Sequence, residues 1–178
     1  MEGAPDEALM LAYQAGNAGA FETLYRRHRT RLYRFVLRAV KTRAVAEELF
    51  QEIWMRVIEA RSRYTPQARF TTWLYTIAHN HLVDHWRKRG LTLVALEGEE
   101  LPASEPNPAD QAQAHESLAR FLAALEALPA LQREAFLLHE EGGLSVAEIA
   151  AATGANEEAA KSRLRYAISK LKAALTDE

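Results

Sequence analysis

The chain has 178 residues, 48% of them hydrophobic, which is enough for one medium domain or two small ones with a packed core. It contains no Cys, and this excludes a disulfide framework, a thiolate metal site and a cysteine nucleophile. Its net charge of −2 conceals a segregation of charge along the chain, because the first half is basic and the middle is acidic.

The first 89 residues hold 15 Lys/Arg and 9 Asp/Glu, and their apolar residues recur at helical spacing. We predict four helices, over residues 6–16, 20–43, 45–61 and 70–89, with Pro66 interrupting the chain before the last one. No stretch alternates apolar and polar residues convincingly in the manner of a strand. Because no apolar run approaches the roughly 20 residues of a membrane span, and the acidic start lacks a signal-peptide pattern, we expect a cytoplasmic protein without membrane insertion.

Residues 90–116 have the composition of a linker. They contain six acids, three prolines and no Lys or Arg, and they lack helical periodicity. A segment of this length without secondary structure is unusual inside one compact domain. The sequence therefore predicts an all-α protein of two small helical domains, over residues 1–89 and 117–178, joined by an acidic flexible linker.

A helix-turn-helix pattern lies near the C-terminal end. Ser145, with Glu148 three residues later, forms a capping-box pattern that predicts the start of a short helix. Gly154 suits the position just after that helix, where the backbone is often left-handed, and Asn156 begins another helix. Two short helices joined by a glycine turn, the second with a cationic face, are typical of a unit that reads the major groove of DNA.

The second of these helices has two distinct faces. Apolar residues at spacings of three and four predict a core face of Ala160, Leu164, Ala167, Ile168, Leu171 and Leu175. The outward face is predicted to present Glu157, Glu158, Lys161, Ser162, Arg165 and Tyr166. Since Lys and Arg bind phosphates or the acceptor edge of guanine, we expect this face to bind DNA. The alternative is a solvated helix whose basic residues are favoured near its C-terminus by the helix dipole.

Residues 63–89 form a second candidate nucleic-acid surface, in which aromatic, basic and amide side chains are interleaved around a proline-containing loop. Such a mixture suits unstacked single-stranded bases, because rings stack on bases, amides read their edges and cations follow the phosphates. The alternative for Phe70, Trp73 and Trp86 is a place in the core, since they recur at helical spacing. The basic run over residues 26–43 fits a phosphate-binding face, a docking face for an acidic partner or a solvated face.

A group of histidines raises the question of a metal site. His81 and His85 lie four residues apart on a predicted helix, with His79 and Asp84 nearby. Only two of these ligands are well placed, so we expect neither a metal ion nor another cofactor. No nucleophile–base pair, glycine-rich phosphate loop or carboxylate pair stands out, which argues against an enzyme.

Three segments in order carry a resemblance to a known family. Residues 46–52 read AEELFQE, residues 70–80 read FTTWLYTIAHN, and the third segment runs over residues 128–171. With the acidic linker before the third, they resemble the extracytoplasmic-function (ECF) sigma factors of the sigma-70 family. The resemblance implies a sigma2-like four-helix domain and a sigma4-like helix-turn-helix domain. Glu157 and Glu158 depart from the family pattern and affect which promoter sequence is expected, because a carboxylate can accept from a cytosine amine.

The resemblance assigns roles position by position. It implies that Glu48 and Gln51 bind core RNA polymerase, whose beta and beta-prime subunits are the expected partners. The set implied to bind the −10 element, as single-stranded promoter DNA, is Tyr64, Gln67, Arg69, Phe70, Asn80, Asp84, Arg87 and Lys88. The set implied to bind the −35 element, as double-stranded DNA, is Glu157, Glu158, Lys161, Ser162, Arg165 and Tyr166. An anti-sigma factor is implied as a regulator of these contacts.

We therefore expect a non-catalytic transcription initiation factor that binds both promoter elements through one tethered scaffold. A stand-alone DNA-binding repressor or activator is the alternative, and it would prefer a palindromic duplex. Such a protein would leave Glu48, Gln51 and the proline-containing loop without a purpose. A helical adaptor that binds only protein would not depend on Lys161 or Arg165, and a metal-dependent enzyme is the remaining alternative.

Overall fold

The computed structural model of the protein describes residues 2–91 and 115–176, and every regular element in these two ranges is helical. The elements are α1 Asp6–Gln14, α2 Ala18–Val40, α3 Arg43–Ala60, a 3-10 turn Arg61–Arg63, α4 Phe70–Lys88, α5 His115–Ala127, α6 Ala130–Glu140, α7 Val146–Thr153 and α8 Glu157–Thr176. The all-α fold class is confirmed for the described residues. Residues 92–114 of the predicted linker 90–116 lie outside them, and residues 115 and 116, which were predicted to belong to the linker, are helical because α5 begins at His115. None of the helices in the described part of the chain has both the length and the apolarity to cross a membrane.

The four N-terminal helices begin and end close to the predicted positions. α2 stops at Val40 rather than continuing to residue 43, because Lys41 adopts a left-handed backbone with φ 66°. This conformation is uncommon for a residue other than glycine and ends a helix in the same way that a C-terminal glycine does. The chain then turns through Thr42, which has an extended backbone and precedes α3.

Aromatic side chains fill the core between α2, α3 and α4. Phe35, Phe70 and Tyr75 are almost fully buried, and the rings of Phe35 and Tyr75 meet nearly at right angles with centroids 5.1 Å apart. Trp54 of α3 packs in the same edge-on manner against Tyr25 of α2, at 5.0 Å. Edge-to-face contacts of this kind add to the burial of apolar area, so these helices are held in one relative orientation.

The helix-turn-helix predicted near the C-terminal end is confirmed. The Glu148 N–H donates to the Ser145 hydroxyl at 3.2 Å, and the Ser145 N–H donates to the Glu148 carboxylate at 3.1 Å, which completes the capping box. Gly154 follows α7 with φ 66°, a conformation that glycine adopts without strain. Asn156 then caps α8, since its side-chain oxygen accepts from the Ala159 N–H at 2.8 Å.

The predicted core face of α8 is largely correct. Ala160, Leu164, Ala167 and Leu171 are buried, and Ile168 is half-buried. Leu175 was also predicted to lie in the core, but it is 45% exposed. That prediction is wrong because Leu175 lies in the last turn of α8, and the last buried residue of the helix is Leu171, one turn earlier.

The two halves of the described chain pack against each other, with α7 on α4 and α6 on α2. Arg133 of α6 is buried at this contact, where its guanidinium donates to the carbonyl oxygens of Ala39 at 3.1 Å and Leu128 at 2.7 Å. Burial lowers the pKa of Arg133 to about 10. A buried cation needs such partners, so these two carbonyls help to define how α6 sits on α2.

Candidate nucleic-acid interface

The exposed face of α8 presents the residues predicted to read the −35 element. Glu157, Glu158, Lys161, Arg165 and Tyr166 are exposed, and Ser162 is partly exposed. The guanidinium of Arg165 lies 5.8 Å from the centroid of the Tyr166 ring. Because the opposite face of α8 lies in the core, the helix cannot turn these residues away from solvent without exposing apolar area. The predicted outward orientation is confirmed, and the contact with DNA stays a prediction.

Two residues of the predicted −10 set are core residues in this structure. Tyr64 is 2% exposed and Phe70 is 0% exposed. The Tyr64 ring packs edge-on against Trp73 with centroids 5.0 Å apart. Burial, with a smaller effect from Glu7 and Asp6, raises the pKa of Tyr64 to about 12. Neither ring can stack on a base in this arrangement. Instead, the two rings support the loop from the core, and base stacking by them would require a change of packing.

The other members of the −10 set are exposed on the loop before α4 or on α4 itself. Gln67 and Arg69 are exposed loop residues. The exposed members on α4 are Asn80, Asp84, Arg87 and Lys88. Lys88 lies 3.1 Å from the Asp84 carboxylate, one turn away on the same helix. These side chains are available to a ligand that approaches α4 from solvent.

An open cleft of about 1150 Å³ between α3 and α4 brings two predicted sites together. Its lining includes Glu48, Gln51, Met55, Asn80, Asp84 and Arg87. The resemblance implies that the first two bind polymerase and the last three bind DNA, and it predicts no relation between the two sets. Met55 belongs to neither predicted set but also lines the cleft, and it is 56% exposed. The helical phase could have found it, because it lies four residues after Gln51 and so shares its face.

Arg69 forms an ion pair with a carboxylate from the other half of the chain. Its guanidinium donates to both oxygens of Glu148, at 2.6 and 3.1 Å, and to the Gly143 carbonyl at 3.0 Å. The Thr72 hydroxyl donates to the same carboxylate at 2.9 Å. In the sequence Glu148 is recognisable only as a capping residue, and no local pattern links it to a residue 79 positions away.

His79 and His81, two members of the predicted histidine group, each contact a different carboxylate. His79 Nδ1 lies 2.8 Å from both carboxylate oxygens of Glu134, which is 1% exposed. His81 lies 3.8 Å from Glu52, on α3. Burial lowers the pKa of His85, and the cations Arg89 and Lys88 act in the same direction. No group of three or more potential ligands that could hold a metal ion occurs in the part of the chain that the structure describes.

Comparison with protein families gives two matches that cover most of the helices. A family model described as Sigma-70 region 2 matches residues 24–92, from within α2 through α3 and α4. A second, described as Sigma-70, region 4, matches residues 118–171, from within α5 into α8. The exposed face of α8 and the cleft between α3 and α4 therefore each lie within one of the matched ranges.

Curated relatives agree with these matches. The RNA polymerase sigma factor CarQ of Myxococcus xanthus is 38% identical over 167 residues, which are 92% of this chain and 93% of CarQ. The ECF RNA polymerase sigma factor BldN of Streptomyces coelicolor is 36% identical over 168 residues. The alignment covers 93% of this chain but 64% of BldN, so the chain spans less than two thirds of that relative.

Solved structures show the same fold. CnrH, solved in complex with the cytosolic domain of CnrY, superposes with a TM-score of 0.72 at 25% identity, over 97% of this chain and 99% of that one. RpoE of Bartonella quintana, co-crystallised with the anti-sigma factor NepR, gives a TM-score of 0.69 at 27% identity, over 89% and 98% of the two chains. Family matches, relatives and fold agree, and the chain belongs to the ECF group of the sigma-70 family of RNA polymerase sigma factors.

Proposed function

We propose that this sigma factor binds core RNA polymerase, directs it to promoters with a −35 and a −10 element, and assists their opening. The observation that carries the proposal is the exposed cationic face of α8, which lies within the region 4 match. Members of this family are transcription initiation factors rather than enzymes. Accordingly, we assign this chain no catalytic residue, metal ion or other cofactor.

Core polymerase is assigned to the α3 side of the cleft. Glu48 and Gln51 are exposed there, and the exposed Met55 adds an apolar side chain that adapts readily to a protein surface. An exposed apolar residue one turn from Gln51 and two turns from Glu48 on the same helix fits a partner protein better than it fits DNA, because phosphates repel the carboxylate. We assign this face to the beta and beta-prime subunits.

Single-stranded DNA of the −10 element is assigned to the loop before α4 and to the exposed face of α4. Gln67 and Arg69 would contact extruded bases from the loop, while Asn80, Arg87 and Lys88 would contact the strand along α4. Extruding a base costs a few kcal/mol, so contacts within this site must offset that cost. Asp84 would position Lys88 through their ion pair. The buried rings of Tyr64 and Phe70 would support the loop from the core.

Double-stranded DNA of the −35 element is assigned to α8. Lys161 and Arg165 would bind phosphate or guanine, Ser162 and Tyr166 would add hydrogen bonds, and Glu157 and Glu158 would accept from cytosine amines. We further propose that residues 1–89 and 117–178 act as separate DNA-binding domains on the linker 90–116. Arg69 can bind DNA only when its ion pair with Glu148 breaks, and separation of α7 from α4 breaks it.

We also propose that an anti-sigma factor regulates this chain in the cytoplasm, where polymerase and promoter DNA are found. The similarity to RpoE, which was solved with the anti-sigma factor NepR, supports this part of the proposal. A partner that contacts both halves would stabilise their packed arrangement and keep Arg69 from DNA.

The test is transcription by purified core RNA polymerase on a pooled promoter library, with and without the protein. We expect transcripts that appear only with the protein and that share two upstream elements. Replacing Lys161 and Arg165 by Ala should abolish the preference for the upstream element, whereas Lys172→Ala, an exposed change on the same helix, should not. If no specific transcripts appear and the protein does not co-migrate with core polymerase in gel filtration, the result would favour the alternative of a stand-alone DNA-binding protein.

A further inference from the structure

The first helix, α1, lies outside the region 2 match, which begins at residue 24. No sequence pattern in it predicts a role. An exposed loop, residues 65–69, joins the 3-10 turn to α4. The C-terminal end of α1 contacts Tyr64, just before this loop, and its N-terminal end is linked through His28 of α2 to Phe70, just after it. This loop carries two members of the −10 set, Gln67 and Arg69.

The C-terminal end of α1 holds the start of the loop through Gln14. The side-chain amide of Gln14 donates to the carbonyl oxygens of Arg61 at 2.8 Å and Tyr64 at 3.0 Å, with Ser62 further away at 3.4 Å. A glutamine amide has two N–H donors, so the two shorter contacts use its full donor capacity. The Tyr64 carbonyl is the last backbone acceptor before the loop, and a residue some 50 positions away determines where it points.

The neighbouring residue on α1 strengthens this contact. Arg61 donates to the Tyr13 hydroxyl at 3.1 Å, and its guanidinium lies 5.1 Å from the centroid of the Tyr13 ring. Tyr13 is itself buried and packs on Phe21 with ring centroids 4.8 Å apart. The C-terminal end of α1 is therefore anchored in the core at the point where it holds the 3-10 turn.

The N-terminal end of α1 acts on the other end of the loop through α2. The Asp6 carboxylate lies 2.9 Å from both His28 and Arg27. Burial acts to raise the pKa of Asp6, but these two partners outweigh it and hold the pKa below its usual value. The His28 ring in turn packs on Phe70 with centroids 5.3 Å apart. Phe70 is the first residue of α4 and directly follows the loop.

We propose that α1 is a positioning element for the −10-reading loop, with Gln14 as the positioning residue at the start of the loop and Asp6 as the one at its end. The inference rests on the proposed function, because it concerns how that loop reads DNA. Residues 65–69 are all exposed, so their own burial contributes little to their conformation. A loop whose two ends are held presents Gln67 and Arg69 in a fixed geometry, and a fixed geometry discriminates between bases better than a loose one does.

The first experiment needs no DNA and uses the full chain. Gln14→Glu keeps the shape of the side chain but replaces its donors with acceptors that face carbonyl oxygens. We expect about three- to tenfold faster amide hydrogen exchange at Tyr64 and Gln67, whose N–H groups donate to the Arg61 and Thr65 carbonyls, with exchange in α8 unchanged. Gln14→Lys, which retains N–H donors, should restore part of the protection. Ala8→Glu adds the same charge at an exposed position of α1 and should have no effect on the loop.

The second experiment measures base preference on a promoter library that varies the −10 and −35 elements independently. Gln14→Glu and Asp6→Asn should each weaken discrimination at the −10 element about three- to tenfold, while the −35 preference and the affinity for core polymerase stay at wild-type values. General destabilisation would lower all three together. Wild-type loop exchange and wild-type −10 discrimination in Gln14→Glu would overturn the inference. Absence of promoter-directed transcription by the wild-type protein would instead overturn the proposed function.

Discussion

Glu148 accepts two hydrogen bonds from the Arg69 guanidinium, at 2.6 and 3.1 Å, across the contact between the two halves of the chain. The same carboxylate completes the capping box of α7 by accepting from the Ser145 N–H at 3.1 Å. The Glu148 side chain therefore both caps the first helix of the helix-turn-helix and forms an ion pair with Arg69, a member of the −10 set. Arg69 cannot bind nucleic acid while this pair is intact.

Glu148→Gln should shift the protein toward a more extended arrangement. Glutamine is also a favourable capping-box residue, so α7 keeps its start, whereas the charge that binds Arg69 is lost. Because Arg69 is half exposed, we expect a loss of no more than about 1 kcal/mol of interaction free energy. The chain has no Cys, so dyes can be attached to cysteines introduced at the exposed residues Glu22 and Ala173, and energy transfer between them should fall.

Glu59→Gln is the matched control for this change. Glu59 is exposed and forms an ion pair with Arg56 at 3.4 Å within α3, so the same chemical change leaves the contact between the two halves untouched. Energy transfer should stay at the wild-type value in this control. An unchanged signal in Glu148→Gln as well would show that the Arg69 pair does not hold the two halves together.

The contribution of Glu148 to the free energy of unfolding should depend on pH at low pH. Burial acts to raise the pKa of Glu148, but hydrogen bonds from Ser145, Arg69 and Thr72 outweigh it and lower the pKa to about 2. The folded pKa is therefore below the usual value of 4.5, so the stabilisation is fully present above pH 4.5 and is lost as the pH falls toward 2. The free energies of unfolding of the wild type and Glu148→Gln should differ above pH 4.5 and converge below it. A difference that is constant over this range would contradict the assignment.

Glu134→Ala should weaken the contact between the two halves of the chain at the point where Glu134 of α6 meets His79 of α4. Glu134 is buried against His79, and its removal leaves the imidazole nitrogen without its partner at the contact between the two halves. We expect a loss of about 1–3 kcal/mol in the free energy of unfolding, measured by urea denaturation. Glu134→Gln keeps a side-chain oxygen that can accept a hydrogen bond, so it should cost less. Equal effects of the two changes would show that the negative charge of the carboxylate is responsible, because glutamine keeps both the packing volume and an acceptor oxygen.

Gly154→Ala should destabilise the turn between α7 and α8 without causing a clash. A methyl group at this position would meet no atom within 4 Å, so the cost comes from the backbone, which has φ 66°. The left-handed conformation costs a non-glycine residue about 1–2 kcal/mol. Gly154→Asn should cost less, since Asn tolerates this conformation better, and Gly3→Ala, at an open position, should be neutral. Thermal unfolding of the three variants checks this order.

Removing Lys161 and Arg165 should reduce the salt dependence of promoter binding by the polymerase holoenzyme. Each phosphate contact contributes about 0.9 to the slope of log affinity against log salt concentration. If both side chains bind phosphate, the slope should fall by about 2, and if one of them reads a guanine it should fall by about 1. Fluorescence anisotropy with a labelled promoter duplex measures the slope. An unchanged slope would show that neither residue binds phosphate.

The helices and the local caps could be predicted from the sequence, because these features depend on neighbours within one or two turns. Ser145, Glu148 and Gly154 specify the start of α7 and the turn after it through contacts that span three or four residues. The outward face of α8 follows from the periodicity of Ala160 and Leu164 in the same way. The resemblance to a family also depended on short segments in order along the chain.

The sites themselves depended on contacts between residues far apart in the sequence. Whether Tyr64 supports a loop or stacks on bases depends on Trp73 and Phe70 closing over its ring, and helical spacing allows either outcome. Nothing near Gln14 or Arg69 in the sequence indicates their partners, which lie about 50 and 79 positions away. By itself the sequence determined the helices, their caps and the family, because local backbone preferences and apolar periodicity specify them. Only the tertiary structure decided which polar groups meet, because a long-range hydrogen bond depends on the packing of whole helices rather than on any local pattern.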